Sequence, residues 1–317
     1  MIITVTLNPA VDQTLVLDQF LPGDTNRVRE SRIDPGGKGI NVSRVLRELG
    51  RESMAAGLAP GSLGRFVEHS LLELGILCDF VHTRGQTRTN LTVVDDETHV
   101  TTLLSYRGPE IDPRHMQTLE TRLRRYIKNK DWLVIAGSIP PPISAEAYPR
   151  LIDLARQSGA YSVLDADAEA LEVGLKAGPD IVKSNHHEAE RLLGKPLDSD
   201  DALLEAASEM LSHGASTAII TAGSRGAIAV TQEGAWWCWP PPTTVVSSVG
   251  AGDAFLAGLL SKLDDGTGLE EALRWGTATG AASCMTTGTQ LCRRSDVDEL
   301  LPQVRVEQVH RAEPVRS

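Results

Sequence analysis

The residues of this chain best suited to chemistry lie in the segment 247–253, Ser-Ser-Val-Gly-Ala-Gly-Asp. An apolar run follows this segment, so a helix is expected to begin here, where unpaired backbone N–H groups attract an anion. We predict an anion hole formed by the backbone N–H groups of Gly250, Ala251 and Gly252. Asp253 stands beside it, and a carboxylate in this place suits phosphoryl transfer, because it accepts the proton of the attacking hydroxyl. The alternative is that Asp253 only caps the helix, where carboxylates are favoured in any case.

A second glycine cluster, Asp-Pro-Gly-Gly-Lys-Gly-Ile-Asn, occupies residues 34–41 and also precedes a helical pattern. Its glycines permit close backbone approach, and the helix that follows presents free N–H groups to an anion or a hydroxyl. Lys38 and Asn41 add polar side chains at the same place. The cluster is not a P-loop, since Gly39 follows Lys38, and it lacks the third glycine of a dinucleotide fingerprint. A flexible turn with a helix cap is an equally good interpretation of this motif alone.

Short apolar runs alternate with amphipathic stretches along most of the chain and must position these motifs. We predict strands over residues 2–7, 53–57, 132–136, 161–165, 180–183 and 217–221. Helices are predicted over residues 40–49, 63–74, 112–128, 145–158, 200–212, 251–263 and 269–284. This alternation predicts an α/β fold with a mostly parallel sheet and helices on both faces. The carboxyl ends of the strands are the expected place of an active site.

Two stretches, residues 13–34 and 87–105, lack this alternation and show a period of two residues instead. We interpret them as a small antiparallel β lid inserted into the α/β body. An exposed lid edge would suit pairing with a second copy of the chain. The alternative is a pair of surface hairpins without a functional motion. The aromatic run 236–239 is expected to pack beneath a loop, and residues 306–317 are expected to form a loose polar tail.

The overall composition narrows the class of partner. The chain has 317 residues with 31 Lys and Arg against 42 Asp and Glu, a net charge of −11. This balance argues against nucleic acid or an anionic membrane as the main partner, because both favour a positive surface. No apolar run approaches the ~18 residues of a membrane span, and the first residues lack the features of a signal peptide. The four cysteines form no CxxC pair, which indicates a reduced, cytoplasmic protein.

Taken together, the two glycine clusters resemble the two signatures of the ribokinase-like (PfkB) carbohydrate kinases. The similar segments are 36–43 (Gly-Gly-Lys-Gly-Ile-Asn-Val-Ser) and 248–253, and four others follow the family's order: 4–12, 137–141, 182–188 and 221–226. The opening segment and Thr-Arg-Thr-Asn at 87–90 are similar to the phosphofructokinase and tagatose-6-phosphate kinase branch. The resemblance implies a single domain over residues 1–317. It also implies a ribokinase-like three-layer sandwich with a central mostly parallel sheet and a small antiparallel β lid.

The resemblance further implies a role for each matching residue. Asp253 would be the catalytic base, and the anion hole of Gly250, Ala251 and Gly252 would hold the transferred phosphoryl group. The residues implied to bind the sugar and its phosphate are Asp12, Arg27, Gly37, Lys38, Asn41, Arg88, Asn90 and Ser138. Those implied to bind the nucleotide are Lys183, Asn185, Thr221, Gly223, Gly226 and Ala281. Glu188 would help to hold Mg²⁺ through water, although Asn185 and Glu188 also fit a helix capping box.

Arg27 and Arg88 would grip the phosphate that the substrate already carries, since guanidinium is a bidentate partner for phosphate. For either arginine taken alone, a solvated surface charge is the alternative. The segment 36–39 contains Lys38, where fructose-6-phosphate kinases more often have glycine, and this favours fructose 1-phosphate as the substrate. Residues 288–292, Gly-Thr-Gln-Leu-Cys, resemble the fructose-6-phosphate kinases instead. Tagatose 6-phosphate is a third candidate.

The implied reaction uses ATP and Mg²⁺, and the resemblance leaves a monovalent-cation requirement open. A homodimer through the lid is the assembly that the resemblance and the lid edge favour. The hypothesis of another class is a non-catalytic sugar-phosphate sensor on the same fold. A sensor would be expected to lack Asp253 or the glycines of the anion hole, and this chain retains both.

Overall fold

The computed structural model describes residues 1–98, 100–287 and 289–309. Its main sheet consists of β1 (Ile2–Thr6), β4 (Ser53–Pro60), β5 (Leu77–Thr83), β8 (Trp132–Ala136), β9 (Tyr161–Asp165), β10 (Ile181–Asn185), β11 (Thr217–Thr221), β12 (Ala227–Thr231), β13 (Ala235–Trp239) and β14 (Arg305–Val309). The strand order is β14-β13-β12-β11-β10-β9-β8-β1-β4-β5. Every neighbouring pair from β5 to β11 is parallel, and the pairs from β11 to β14 are antiparallel. The sheet is therefore mostly parallel, as predicted.

Helices cover both faces of this sheet. They are α1 (Lys38–Glu48), α2 (Gly61–Glu73), α3 (Arg114–Tyr126), α4 (Ala147–Gln157), α5 (Ala168–Lys176), α6 (His186–Leu193), α7 (Asp200–Ser212), α8 (Ala251–Leu263), α9 (Leu269–Cys284) and α10 (Arg294–Leu300). The central strand β8 shows why both faces are covered: Leu133 and Ile135 join the core with α3, α4 and α7, while Val134 joins the core with α1, α8 and α9. Alternate side chains of a strand point to opposite faces, so an all-apolar strand needs a helical layer on each side. The α/β three-layer prediction is confirmed.

A second, smaller sheet contains β2 (Ala10–Leu17), β3 (Glu30–Gly36), β6 (Arg88–Asp95) and β7 (Thr101–Leu104), in the order β3-β2-β6-β7. The outer pairs are antiparallel, and the central pair of β2 and β6 is parallel. These strands come from the two stretches predicted to form a lid. They also extend beyond those stretches, because β2 starts at Ala10 and β3 ends at Gly36, so the sheet joins directly to the first glycine cluster.

The predicted loose tail is wrong in its first part. Residues 305–309 form β14, which pairs antiparallel with β13 at the edge of the main sheet. Edge strands are partly exposed and can therefore be polar, as this strand is. The sequence alone did not indicate a strand here, because the pairing with β13 is a tertiary contact. The rest of the tail lies outside the described residues. In β13 the indole nitrogen of Trp237 donates to the carbonyl of Arg225 at 3.1 Å, so the aromatic run packs beneath a loop as predicted.

Within the described ranges, the helices are all too short or too polar to span a membrane.

We expect the central strand to dominate the stability of the main sheet. Replacing the fully buried Ile135 with alanine should lower the free energy of unfolding by ~2–5 kcal/mol, because it removes buried methylene groups and leaves a cavity. The same truncation at Leu72, which is 53% exposed on α2, is the matched control and should have little effect. Thermal melting of both variants beside the parent chain checks this. Equal melting temperatures for the two variants would contradict it.

Candidate active site

The predicted anion hole lies at the start of α8. Gly250 precedes the helix with φ of 79°, a left-handed conformation that favours glycine. The N–H of Ala251 donates to the carbonyl of Ser248 at 3.3 Å, and the N–H of Ala254 donates to the carbonyl of Gly250 at 2.9 Å. Among the described residues, the N–H groups of Gly252 and Asp253 have no acceptor. The first turn of α8 therefore presents free donors to an anion.

The ammonium group of Lys183 lies against this turn. A Cβ atom built on Gly252 would come within 2.5 Å of the Lys183 Nζ atom, so glycine is what allows the lysine to approach. Lys183 belongs to β10 and is almost fully buried. The helix N-terminus and this ammonium supply positive charge at the same point, which suits a transferring phosphoryl group.

Asp253 lies in the first turn of α8 and is buried. Its Oδ2 atom accepts a hydrogen bond of 2.8 Å from Nδ2 of Asn41 on α1. Burial raises the pKa of Asp253 to about 6, the nearby Asp165 carboxylate adds to the rise, and Lys38, Lys183 and the Asn41 hydrogen bond oppose it. A carboxylate whose pKa is near neutrality is a better proton acceptor than an ordinary aspartate and remains ionised at pH 7.

Two lysines and two carboxylates form a buried ionic network behind Asp253. Asp165 is fully buried at the end of β9, and its two oxygens accept from Lys38 Nζ at 2.6 Å and from Lys183 Nζ at 2.9 Å. Lys38 also donates to Oε1 of Glu188 at 2.8 Å. Burial alone would lower the pKa of Lys38, but the carboxylates of Asp165 and Glu188 raise it above its ordinary value. Lys38, predicted to bind the sugar, thus links the first glycine cluster to the predicted nucleotide-binding residues.

Asn185 and Glu188 form the capping box that the sequence suggested as the alternative interpretation. The Oδ1 atom of Asn185 accepts from the N–H of Glu188 at 2.9 Å, and Oε2 of Glu188 accepts from the N–H of Asn185 at 2.8 Å. Because Oε1 faces Lys38, both oxygens of Glu188 already have partners. Direct metal ligation by Glu188 would have to displace one of them.

The opposite end of the site contains Asp12 and Asn90 on neighbouring strands of the small sheet. Nδ2 of Asn90 donates to Oδ1 of Asp12 at 2.8 Å. A Cβ atom on Gly36 would lie 2.0 Å from Oδ2 of Asp12, so the glycine makes room for this carboxylate. Burial raises the pKa of Asp12, and the Asn90 hydrogen bond opposes the rise. Gly37 precedes the first turn of α1 immediately beside this pair.

The predicted nucleotide-binding residues lie at the ends of two neighbouring strands and on α9. Asn185 ends β10 in register with Thr221, which ends β11. A short 3-10 turn then runs from Gly223, closed by a 2.7 Å hydrogen bond from the N–H of Ala222 to the carbonyl of Gly226. Ala281 lies on α9 where this helix packs against the start of α8, since a Cβ atom on Gly280 would be 3.2 Å from the carbonyl of Ala251.

Arg27 is not brought to this site within one chain. Asp12 pairs in register with Asp34, whereas the opposite end of β3 begins at Glu30. A strand rises ~3.3 Å per residue, so Glu30 is about 13 Å from Asp34, and exposed Arg27 lies beyond it. The structure therefore separates Arg27 from Asp12, because the intervening strand carries it to the far end of the small sheet.

Arg88 does lie at the site, and its guanidinium group is only partly engaged, because the buried Nε atom has no hydrogen-bond partner among the described residues. One terminal nitrogen donates to the carbonyl of Tyr106 at 2.8 Å and the other to the carbonyl of Asn8 at 3.1 Å. Ser138 is nearby, with its Oγ atom accepting from Nδ2 of Asn8 at 3.0 Å. Asn8 and Asp165 were not predicted as site residues. Asp165 ends a predicted strand, and an active site is expected at such strand ends, so the sequence did contain a signal for this residue. It contained none for Asn8, because the contacts of Asn8 are with distant segments.

The free N–H groups at the start of α8, the Lys183 ammonium and the buried carboxylate of Asp253 together suit the transfer of a phosphoryl group to a hydroxyl. The chain belongs to the pfkB family of carbohydrate kinases, whose family model matches residues 5–296. This membership confirms the resemblance found in the two glycine clusters.

Individual relatives cover nearly the whole chain. A 1-phosphofructokinase of Borreliella burgdorferi is 32% identical over 311 residues, spanning 98% of this chain and 99% of the relative. A 1-phosphofructokinase of Xanthomonas campestris is 37% identical over 282 residues, spanning 87% and 88%. The crystal structure of phosphofructokinase-2 from Escherichia coli in complex with fructose-6-phosphate matches with a TM-score of 0.88 at 30% identity, covering 95% of this chain and 98% of that chain. The same enzyme in complex with potassium gives a TM-score of 0.90.

The pKa of Asp253 predicts an acid limb in the pH profile. If Asp253 is the base, kcat/KM should fall as the pH drops through about 6, because protonation removes the proton acceptor. Asn41→Leu removes a hydrogen bond that lowers this pKa, so the limb should move to higher pH. We expect a several-fold loss of kcat/KM at pH 6 beyond any loss at pH 8.

The matched control is Asn90→Leu, which removes an amide donor from Asp12 rather than from Asp253. It should leave the position of the acid limb unchanged, whatever its effect on KM. Phosphate groups on substrates also titrate near pH 6. The test is therefore the shift of the acid limb between variants and not the absolute pH at which the limb lies. A limb that stays in place in Asn41→Leu would contradict the assignment of Asp253.

Proposed function

We propose that this chain transfers the γ-phosphoryl group of ATP to a hydroxyl of a ketohexose monophosphate. Fructose 1-phosphate is the proposed first substrate, and fructose 1,6-bisphosphate is then the product. The observation that carries the proposal is the buried Asp253 carboxylate with a pKa of about 6, next to the free N–H groups of α8 and the ammonium of Lys183. The 1-phosphofructokinases among the relatives support the choice of substrate.

In the proposed reaction Asp253 accepts the proton of the sugar hydroxyl. Asn41 occupies Oδ2, so Oδ1 is the oxygen that receives the proton. The hydroxyl oxygen forms the new bond to the γ-phosphorus as the bond to the bridging oxygen of ADP breaks. The N–H groups at the start of α8 and the Lys183 ammonium stabilise the charge that spreads over the transferring group. The position of Asp253 within the first helical turn keeps base and anion hole together.

The sugar is proposed to lie between Asp253 and the pair formed by Asp12 and Asn90. The carboxylate and the amide of this pair are fixed by their 2.8 Å hydrogen bond, so each presents its remaining atoms in a defined orientation. Gly37, Asn41, Lys38 and Ser138 complete the proposed contacts to the sugar. The nucleotide is proposed to lie along Lys183, Asn185, Thr221, Gly223, Gly226 and Ala281.

The donor set fits Mg²⁺ that is held mainly by the nucleotide phosphates and water. In the described part of the chain, no three His, Cys, Asp or Glu side chains are grouped as a metal site. The carboxylates of Asp165 and Glu188 face Lys38 instead, so Glu188 is proposed to act through water. When bound, the ion neutralises phosphate charge. The potassium complex of the Escherichia coli enzyme supports a further proposal, that a monovalent cation assists this chain.

Fructose 6-phosphate is the second candidate substrate, favoured by the similarity to the Escherichia coli enzyme in complex with that sugar, and tagatose 6-phosphate is the third. Lys38 favoured fructose 1-phosphate in the sequence, yet its ammonium group faces Asp165 and Glu188. In the proposal Lys38 therefore contacts the sugar from a position that these two ion pairs fix.

The substrate is identified by measuring ADP release with Mg-ATP and each sugar separately. The panel is fructose 1-phosphate, fructose 6-phosphate, tagatose 6-phosphate and unphosphorylated fructose. We expect the highest kcat/KM on fructose 1-phosphate and a loss of at least ~10³-fold in Asp253→Asn, because the general base is removed. Preference for a free sugar would contradict the substrate class. Binding of sugar phosphates without turnover would instead favour the sensor hypothesis.

The chain is further proposed to form a homodimer through the small sheet. Large apolar side chains on this sheet and its loops are about half exposed: Val28 (47%), Ile33 (53%), Leu103 (52%), Leu104 (49%) and Tyr106 (56%). The strand register places Ile33 and Leu104 in one row across the sheet, on the same face, whereas Leu103 lies on the other face. Contiguous exposed apolar side chains mark an interaction surface, and an exposed sheet edge adds unpaired backbone groups.

The dimer predicts a change of mass in solution. The double variant Ile33→Lys/Leu104→Lys should be monomeric at concentrations where the parent chain is dimeric, because two desolvated charges per protomer would enter the interface. Leu72→Lys is the control, because the Leu72 side chain on α2 is equally exposed, and this variant should remain dimeric. Analytical ultracentrifugation measures all three. A monomeric parent chain, or a double variant that stays dimeric, would contradict this interface.

A further inference from the structure

The guanidinium group of Arg44 lies between α1 and the small sheet. Arg44 belongs to α1, and only 10% of its side chain is exposed. Its Nη2 atom donates to Oδ1 of Asp34 on β3 at 3.3 Å, and its Nη1 atom donates to the carbonyl of Pro35 at 3.0 Å. Two partners on one strand thus fix the position and the plane of the guanidinium group.

Asp34, the carboxylate that holds Arg44, has other partners as well. Its Oδ1 atom accepts from Nη2 of Arg32 at 2.8 Å, and its Oδ2 atom accepts from the hydroxyl of Thr289 at 2.7 Å. The charged groups that face Arg44 are Asp34 and Arg32 on β3 and Asp12 on β2. The buried Asp34 carboxylate therefore keeps two partners when Arg44 is replaced, so the surrounding structure tolerates a substitution at this position.

On its other side Arg44 faces the amide of Asn41. The two residues are three positions apart on α1, a spacing that places side chains on the same face of a helix. Nη1 of Arg44 lies 3.5 Å from Oδ1 of Asn41, and Nδ2 of Asn41 donates to Oδ2 of Asp253 at 2.8 Å. The amide oxygen thus faces a positive charge while the amide nitrogen faces a negative one.

These two charges select one orientation of the amide. A reversed Asn41 side chain would bring its oxygen against the Asp253 carboxylate and its NH₂ group against the Arg44 guanidinium, and both contacts are repulsive. Asp253 is also faced by Asp165 on β9, Lys183 on β10 and Lys38 on α1. In the described part of the chain, none of these three side chains hydrogen-bonds to Asn41.

We propose that Arg44 is a positioning residue that orients the Asn41 amide so that this amide donates to Asp253. Without the guanidinium group the amide can rotate and the donor is lost for part of the time. The Asn41 hydrogen bond lowers the pKa of Asp253, so its loss raises that pKa. The consequence for catalysis rests on the proposed function, in which Asp253 is the base, whereas the orientation of the amide does not depend on any activity.

The test is a double-mutant cycle of Arg44→Met and Asn41→Leu, read out by a ¹³C NMR titration of the Asp253 carboxyl carbon without substrate. The signal is assigned by its absence in Asp253→Asn. Arg44→Met should raise the pKa of Asp253 by about 0.5 to 1 unit, because the amide donor is no longer held in place. In the Asn41→Leu background the same replacement should add less than about 0.2 unit, because the amide through which Arg44 acts is absent.

Equal shifts in the two backgrounds would show that Arg44 acts on Asp253 by its charge alone and would overturn the proposal. An unchanged pKa in Arg44→Met would overturn it as well. Arg44→Lys is the milder second variant, since it keeps the charge but cannot bond Asp34 and Pro35 with a planar fork. It should give a smaller rise that also disappears in the Asn41→Leu background.

The control is Arg47→Met, which removes an exposed arginine one turn further along α1 and should leave the pKa of Asp253 unchanged. In Arg44→Met the acid limb of kcat/KM should move to higher pH together with this pKa, with a several-fold loss at pH 6 beyond any loss at pH 8. A predicted pKa shift in a chain that phosphorylates no sugar supports the role of Arg44 and refutes the proposed function. A predicted pKa shift with an unmoved limb supports the role of Arg44 and refutes Asp253 as the base.

Discussion

The buried carboxylate of Asp165, held between the ammonium groups of Lys38 and Lys183, is the interaction on which the rest of the site depends. Charges in a protein interior are stable only when paired, so the network holds both lysine side chains in place. Through Lys38 it joins the start of α1 to Glu188. Through Lys183 it reaches the turn at Gly252. The proposed sugar, phosphoryl and nucleotide contacts are thereby connected by one set of ion pairs.

The same network sets the chemistry of Asp253. Burial raises the pKa of Asp253 and the negative charge of Asp165 adds to the rise, whereas the two lysines and the Asn41 hydrogen bond oppose it. A base must be ionised at working pH and yet basic enough to take a proton, and these opposed effects leave Asp253, the proposed base, near that balance. Without the lysines, the buried carboxyl group of Asp253 would be protonated. Without burial, the lysines would lower its pKa and leave it a weak base.

The small sheet contributes both to the proposed sugar pocket and to the proposed dimer surface, because its strands are continuous with the first glycine cluster. The ends of β2 and β3 near Asp12 and Gly36 lie at the proposed sugar pocket, while the far ends carry Arg27 and exposed apolar side chains. A strand is rigid along its length, so contacts made at the far end constrain the pocket end. This geometry connects the proposed dimer surface to the proposed sugar contacts without a flexible joint.

The sequence by itself determined the fold class, both glycine motifs and Asp253, because periodicity and helix-start signals are local. The resemblance indicated Arg88 but not its partners, and the sequence did not indicate Asn8, which contacts the backbone of Arg107 across 99 residues. The resemblance also paired Arg27 with Arg88, whereas within one chain a strand's length separates Arg27 from Asp12. Lys38 and Asp165, 127 residues apart, meet because parallel strands end at one edge of the sheet. Only the tertiary structure decides which of these side chains remain free for a substrate, since pairing depends on what the fold brings within hydrogen-bonding distance.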